Sequence, residues 1–228
     1  MTDRAMPLLT EADTCRELVT PAIQNQGWSE SPHAIGEQHQ ITAGRIQLIG
    51  GKPRRAKQRR ADYVLYYRRD FPIAVVEAKD IGTPVENGVQ QAREYAEMLG
   101  LKFAYATNGR RIIEIDYITG TEREVARFPT PQELWNRVNA DSGLSEPAQK
   151  QWVEPYNLTS GKIPRYYQDA AIRNVVKAIL LGQKRVLVTL ATGTGKTSVA
   201  FQICWKLWNS RWNQAGEYRR PKILFLAD

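Results

Sequence analysis

The chain is poor in cysteine and histidine, with two of each in 228 residues. Cys15 and Cys204 lie far apart and form no CxxC spacing, which excludes a disulfide framework and a structural zinc site and leaves two reduced, buried thiols. No apolar run approaches the roughly 18–20 residues that a membrane-spanning helix needs. The opening segment MTDRAMPLLTEADT lacks the basic-then-apolar order of a secretion signal, so the expected location is the cytoplasm, away from any membrane. Internal repeats and low-complexity tracts are absent. What remains is ordinary globular composition, 42% hydrophobic and 25% charged, able to bury a core. A formal charge of +8 adds a basic bias.

Residues 141–162, DSGLSEPAQKQWVEPYNLTSGK, break the periodic apolar pattern on either side and read as a linker. It separates a domain over 1–140 from a segment over 163–228. The latter is long enough to start a second domain but too short to finish one. Lys222–Asp228 reads as a buried strand ending with the chain, and a fragment is expected. In the first domain a helix is expected over about 11–26, with Thr10 and Asp13 as a capping signal and Gly27 as its stop. Strands are expected at about 38–50, 61–68 and 72–79, and a helix over 85–99 closed by Gly100. The runs 102–107 and 111–117 flank Asn108-Gly109, the signature of a type I′ hairpin turn. The fold class is α/β: a mixed sheet with flanking helices, followed by an incomplete parallel-sheet domain.

Two antiparallel strands joined at Arg69-Asp70 place Asp62 opposite Glu77, and Lys79, two residues beyond Glu77, projects from the same face. Two carboxylates held close repel unless a divalent cation sits between them, and oxygen ligands of this kind suit Mg²⁺. The cation polarises a phosphodiester and activates water, while the Lys79 ammonium stabilises developing charge. The competing reading is a solvated cross-strand charge cluster. On the next helix, Gln91 and Tyr95 are four apart and share a face. This block resembles the PD-(D/E)xK nuclease superfamily, whose ATP-dependent restriction-enzyme branch carries a QxxxY element matching Gln91 to Tyr95. Ala61 stands where that superfamily's name has proline. The resemblance also implies an acidic residue from the first helix, for which Glu11 and Glu17 compete.

Val186–Thr197 reads as an apolar strand, a glycine-rich turn and a helix opened by Lys196-Thr197, which is a phosphate-binding loop. Thr192, Gly193, Thr194 and Gly195 shape the turn. Lys196 would reach the β and γ phosphates of ATP, and Thr197 would offer its hydroxyl to Mg²⁺. Leu190 stands where the full Walker pattern has glycine, and ATGTGKT resembles motif I of superfamily-2 helicases. That resemblance makes Gln168 a reader of adenine, an edge its amide can both donate to and accept from. Arg165 or Tyr167 would flank the ring.

Lys52, Arg54, Arg55, Lys57, Arg59 and Arg60 put six positive charges in nine residues just before Asp62. Such a run is either a solvated loop or a grip on DNA phosphates, with affinity but no sequence choice. The order of nuclease block, linker, glutamine and phosphate loop resembles the N-terminal part of the restriction (R, or HsdR) subunit of type I restriction enzymes. The resemblance implies double-stranded DNA as substrate, methyltransferase and specificity subunits as partners, and ATP-driven translocation by the whole protein. A type III-like or standalone nuclease, or a non-catalytic nucleotide-gated DNA-binding module, are the alternatives.

Overall fold

The computed structural model describes residues 9–42, 46–49, 52–55, 59–217 and 219–226, with the backbone alone for 42, 46–49 and 52–55. Lys57, residues 43–45 and 50 of the first expected strand, and residues 227 and 228 of the last lie outside the described residues. The chain divides into two compact units, Met1–Val138 and Asn139–Asp228.

The first unit begins with a continuous helical stretch: α1 (Glu11–Thr14), a π turn (Cys15–Val19) and α2 (Thr20–Gln24). Thr10 and Asp13 form the expected capping box. The widening to π geometry has a local cause. Pro21 has no N–H to return to the preceding turn and its ring crowds the carbonyl four residues back, and Thr20 N–H bonds instead to the Cys15 carbonyl, five residues back.

Six strands form one mixed sheet in the order β1-β4-β5-β6-β7-β8. These are β1 (Ala34–Thr42), β4 (Arg59–Arg68), β5 (Phe71–Ala78), β6 (Phe103–Thr107), β7 (Ile112–Asp116) and β8 (Thr121–Val125). β5 and β6 are parallel, joined through α3 (Glu86–Leu99), and the other neighbours are antiparallel. A separate two-stranded hairpin, β2 (Ile46–Ile49) with β3 (Lys52–Arg55), sits in sequence between β1 and β4. The first expected strand is therefore two, and part of the basic run is a strand. Every residue of β5 is buried, as a central strand covered on both faces requires. Trp28, Phe103, Tyr105, Phe128, Leu65, Ile115 and Leu134 fill the core.

α3 ends on Gly100 in the left-handed conformation, φ 63°, as expected of a helix-terminating glycine. The β6–β7 hairpin forms, but its turn differs. Thr107 pairs with Ile112, leaving a four-residue loop. There Asn108 Oδ1 accepts from Arg110 and Arg111 N–H, an Asx-type closure that replaces the type I′ turn. β8 was not expected: its sequence TEREV is mostly exposed and charged, the composition of a protected sheet edge and not of a core strand.

The division between the units falls within α4 (Pro131–Ser142). The second unit adds α5 (Glu146–Trp152), α6 (Tyr166–Leu180) and α7 (Lys196–Asn209). The stretch 141–162, expected as a linker, instead contains α5 and buries Trp152, Val153 and Tyr156. Trp152 Nε1 donates to the Arg173 carbonyl, and Tyr156 donates to Asp169, which is paired with Arg173 at 2.8 Å. Polar loop-like composition concealed three large anchors. The expected strands at 186–190 and 222–228 are likewise absent among the described residues: Leu187 is 91% and Leu224 83% exposed. A parallel strand exists only by pairing, and no described segment of this unit pairs with either run.

Candidate active site

β4 and β5 pair with Tyr63 opposite Val76 and Val64 opposite Val75, so one step further Asp62 faces Glu77, as the two-residue loop at Arg69-Asp70 predicts. Both acids are buried, Asp62 8% and Glu77 2% exposed. That argues against a solvated surface charge cluster. Asp62 Oδ2 accepts from the Ala78 N–H at 2.8 Å and Oδ1 from Gln38 Nε2 at 3.0 Å. Glu77 Oε1 accepts from Lys79 Nζ at 2.7 Å, while Glu77 Oε2 is buried with no hydrogen-bond partner. Burial, and then repulsion from Asp62, push the Glu77 carboxyl up to about 8 against the pull of Lys79.

Lys79 is held at three points. Besides Glu77, its ammonium donates to Gln91 Oε1 at 3.2 Å and stands 4.0 Å from Glu11. Burial works against its charge, but the acids around it prevail and its pKa is raised. Gln91 Nε2 in turn donates to the Tyr95 hydroxyl at 2.9 Å. The Gln91–Tyr95 pair on α3 thus braces the lysine, and Tyr95 is also buried. Of the two first-helix acids, Glu11 is the one at the site. Its pKa is raised by burial and by Asp62, whereas Glu17 pairs with Arg16 on the surface. Sequence reasoning missed Gln38, whose contact with Asp62 crosses from another strand.

Among the described residues no three His, Cys, Asp or Glu side chains are grouped so as to hold a metal ion. The side chains that could hold a cation here are Asp62 and Glu77. Asp62 and Glu77 fit it chemically: both offer hard oxygen donors, and the unpartnered, buried Glu77 Oε2 is an oxygen for which protein donors provide nothing.

In the second unit Gly193 (φ 77°) and Gly195 (φ 84°) turn the chain into α7, which Lys196 opens. Thr192, Lys196 and Thr197 are exposed there, and Thr194 Oγ1 donates to the Ala191 carbonyl. A Cβ on Gly195 would lie 2.5 Å from Gln168 Nε2, the end of a side chain able to move aside, so it is the left-handed backbone conformation that demands glycine. The Gln168 amide is engaged at both ends, accepting from Arg165 N–H at 2.8 Å and donating to the Thr194 carbonyl at 2.7 Å. Tyr167, bonded by Arg165, donates to the same carbonyl. Gln168 thereby ties α6 to the glycine-rich turn.

Within the basic run, Lys52, Arg54 and Arg55 belong to β3. Arg59 is paired with Glu94 on α3 and reaches Met98 Sδ, while Arg60 is exposed at the start of β4.

Two restriction-enzyme family models match this chain. Residues 38–129 match the type I restriction enzyme R protein N terminus (HSDR_N), and residues 161–228 match the type III restriction enzyme res subunit. The chain is similar over nearly its whole length to the N-terminal part of HsdR proteins, the R subunits of type I restriction enzymes. It is 40% identical to the type I restriction enzyme EcoAI endonuclease subunit of Escherichia coli, over 96% of this chain and 27% of that one. Identity to the EcoKI endonuclease subunit of Escherichia coli K12 is 29%, over 78% and 18% respectively. A solved structure described as the fragment of an HsdR subunit from Vibrio vulnificus YJ016 superposes with a TM-score of 0.88 and 54% identity, covering 95% of this chain and 41% of that one. The chain thus spans about a quarter of the EcoAI relative's length.

Proposed function

We propose that this chain carries the DNA-cleaving centre, and the first nucleotide-binding elements, of a type I restriction enzyme. In this reading the first unit is a restriction-endonuclease-like nuclease domain of the PD-(D/E)xK type, and the second is the start of a RecA-like ATPase. The observation that carries it is the convergence of Asp62, Glu77 and Lys79 on one sheet face, two of them buried carboxylates and the third a braced ammonium. Desolvating two acids beside each other is costly, and a charge-balanced cation site is the economical reason to keep them so.

Asp62 and Glu77 would hold Mg²⁺, which when bound supplies polarisation of the scissile phosphodiester and an acidified water. The chain's own groups do the rest. The Ala78 N–H and Gln38 amide fix the Asp62 carboxylate. Lys79, steadied by Gln91 and through it Tyr95, places a positive charge where the phosphate turns more negative on attack. Exposed Arg60, with the neighbouring basic residues Lys52, Arg54, Arg55 and Lys57, would grip flanking phosphates without reading sequence. Site choice would then fall to methyltransferase and specificity subunits. In the second unit Lys196 and Thr197, beyond the Gly193–Gly195 turn, would take the phosphates of ATP, with the enzyme working in the cytoplasm. Gln168 already uses its amide to hold Thr194, so its support for ATP would come through the shape of the loop as well as any contact with adenine.

The test is cleavage of supercoiled plasmid by the chain in Mg²⁺ or Mn²⁺. Wild type nicks or linearises the plasmid, whereas Asp62→Ala and Lys79→Ala, folded by circular dichroism, lose at least about 100-fold, the scale of removing one transition-state donor. Undiminished cutting by either variant removes the assignment.

A further inference from the structure

β1 and β4 run antiparallel, with Glu37 opposite Tyr63 and His39 opposite Ala61. Gln38, between them, therefore stands across from Asp62, but it does not adopt strand geometry. Its φ is +48°, and the only other non-glycine residue with positive φ among those described is Arg211. A left-handed residue inside a nine-residue strand is unfavourable, and such conformations persist where the surroundings impose them, often at functional sites. Among the described strands β1 lies at the edge and pairs with β4 alone, so the distortion is accommodated without breaking a second ladder.

The side chain shows what the distortion achieves. Gln38 Nε2 donates to Asp62 Oδ1 at 3.0 Å, while the Ala78 N–H on the opposite neighbour strand donates to Oδ2 at 2.8 Å. The Asp62 carboxylate is thus held from both sides, one donor per oxygen. Each oxygen retains lone-pair capacity for a further ligand. The choice of an amide is also informative. A lysine or arginine here would orient Asp62 equally well but would neutralise the site and compete with a cation, whereas a glutamine orients it without adding charge. Gln38 itself is exposed, so the bond is not explained by the need to satisfy a buried amide.

We propose that Gln38 is a positioning residue: its left-handed backbone aims a neutral amide at Asp62 and fixes the carboxylate in the orientation that binds a divalent cation. The inference rests on the nuclease reading and deepens it. It acts through Asp62.

Two variants of the chain separate positioning from a structural role. Gln38→Gly removes the amide and relieves the backbone, since glycine is at ease at this φ. Gln38→Met removes the amide and keeps the bulk. Mn²⁺ binding by calorimetry and the Mn²⁺ dependence of plasmid cutting are read beside thermal melting, with Asp62→Ala as the reference. Gln38→Gly is expected to melt no lower than wild type, and both variants to bind Mn²⁺ at least about tenfold more weakly, the usual cost of losing an outer partner of a metal ligand. Their half-saturating Mn²⁺ for cutting should rise by the same factor. Wild-type Mn²⁺ affinity and cutting in a folded Gln38→Gly or Gln38→Met, with Asp62→Ala inactive, would overturn the inference and leave the nuclease reading standing. Wild-type cutting by Asp62→Ala would overturn both.

Discussion

Binding of a divalent cation between Asp62 and Glu77 must expel a proton. Glu77 sits at about 8 against an ordinary 4.5, because it is buried next to Asp62. Below pH 8 it is mostly neutral in the cation-free protein, and the cation competes with that proton. Apparent affinity then falls about tenfold for each pH unit well below 8, and from pH 8 to pH 6 by about fiftyfold. Stability shifts with the opposite sign. A carboxyl whose folded pKa is raised contributes its full stabilisation below about 4.5 and loses it as pH rises through about 8. The cation-free chain is thus weakened by this group at alkaline pH, where added Mn²⁺ stabilises it most. Mn²⁺ titration calorimetry at pH 6, 7 and 8, in two buffers of different protonation enthalpy, reads both quantities. Close to one proton should be released per ion at pH 6, falling towards half at pH 8. Equal affinity at pH 6 and pH 8 with no proton release would refute the reasoning. Glu77→Gln should abolish the pH dependence along with most of the binding.

The two centres should be separable. Lys196→Ala is expected to leave plasmid cutting by the chain unchanged and to remove binding of a fluorescent ATP analogue, and loss of cutting would show that they are linked. Glu114 is buried at 2% exposure and takes hydrogen bonds from Tyr105, Arg123 and Arg137, while Arg137 also holds Asp116 and lies 4.3 Å over the Phe103 ring. Arg137→Ala leaves that buried acid underpaired and should lower stability by about 3 kcal/mol, read as a shift in the urea midpoint. An unchanged midpoint would mean that Arg123 alone suffices.

Local grammar made much of this legible. The two-residue loop at Arg69-Asp70 predicts the facing of Asp62 and Glu77, and the facing holds because the two register shifts on either side of Tyr66 cancel before the site is reached. Gly100 marked the end of α3, and spacing alone put Gln91 and Tyr95 on one helical face. What stayed hidden depends on partners distant in sequence. The choice of Glu11 over Glu17 follows from how the first helix lies over the sheet, and the Gln38 contact from the pairing of β1 with β4. Short apolar runs misled in the other direction. Residues 186–190 have strand composition but no strand to pair with among the described residues of their unit, and β8, which pairs, has the composition of a loop. Pairing is a property of the sheet, not of the segment.

The central claim is that Asp62 and Glu77 share one divalent cation. Anomalous diffraction from crystals of the chain soaked in Mn²⁺ at pH 8 tests it directly. The account predicts a single strong peak within coordinating distance, about 2.0–2.3 Å, of oxygens from both side chains, absent in Asp62→Ala. A peak bound elsewhere, or none at this pair in crystals whose protein still cuts DNA in Mn²⁺, would contradict it.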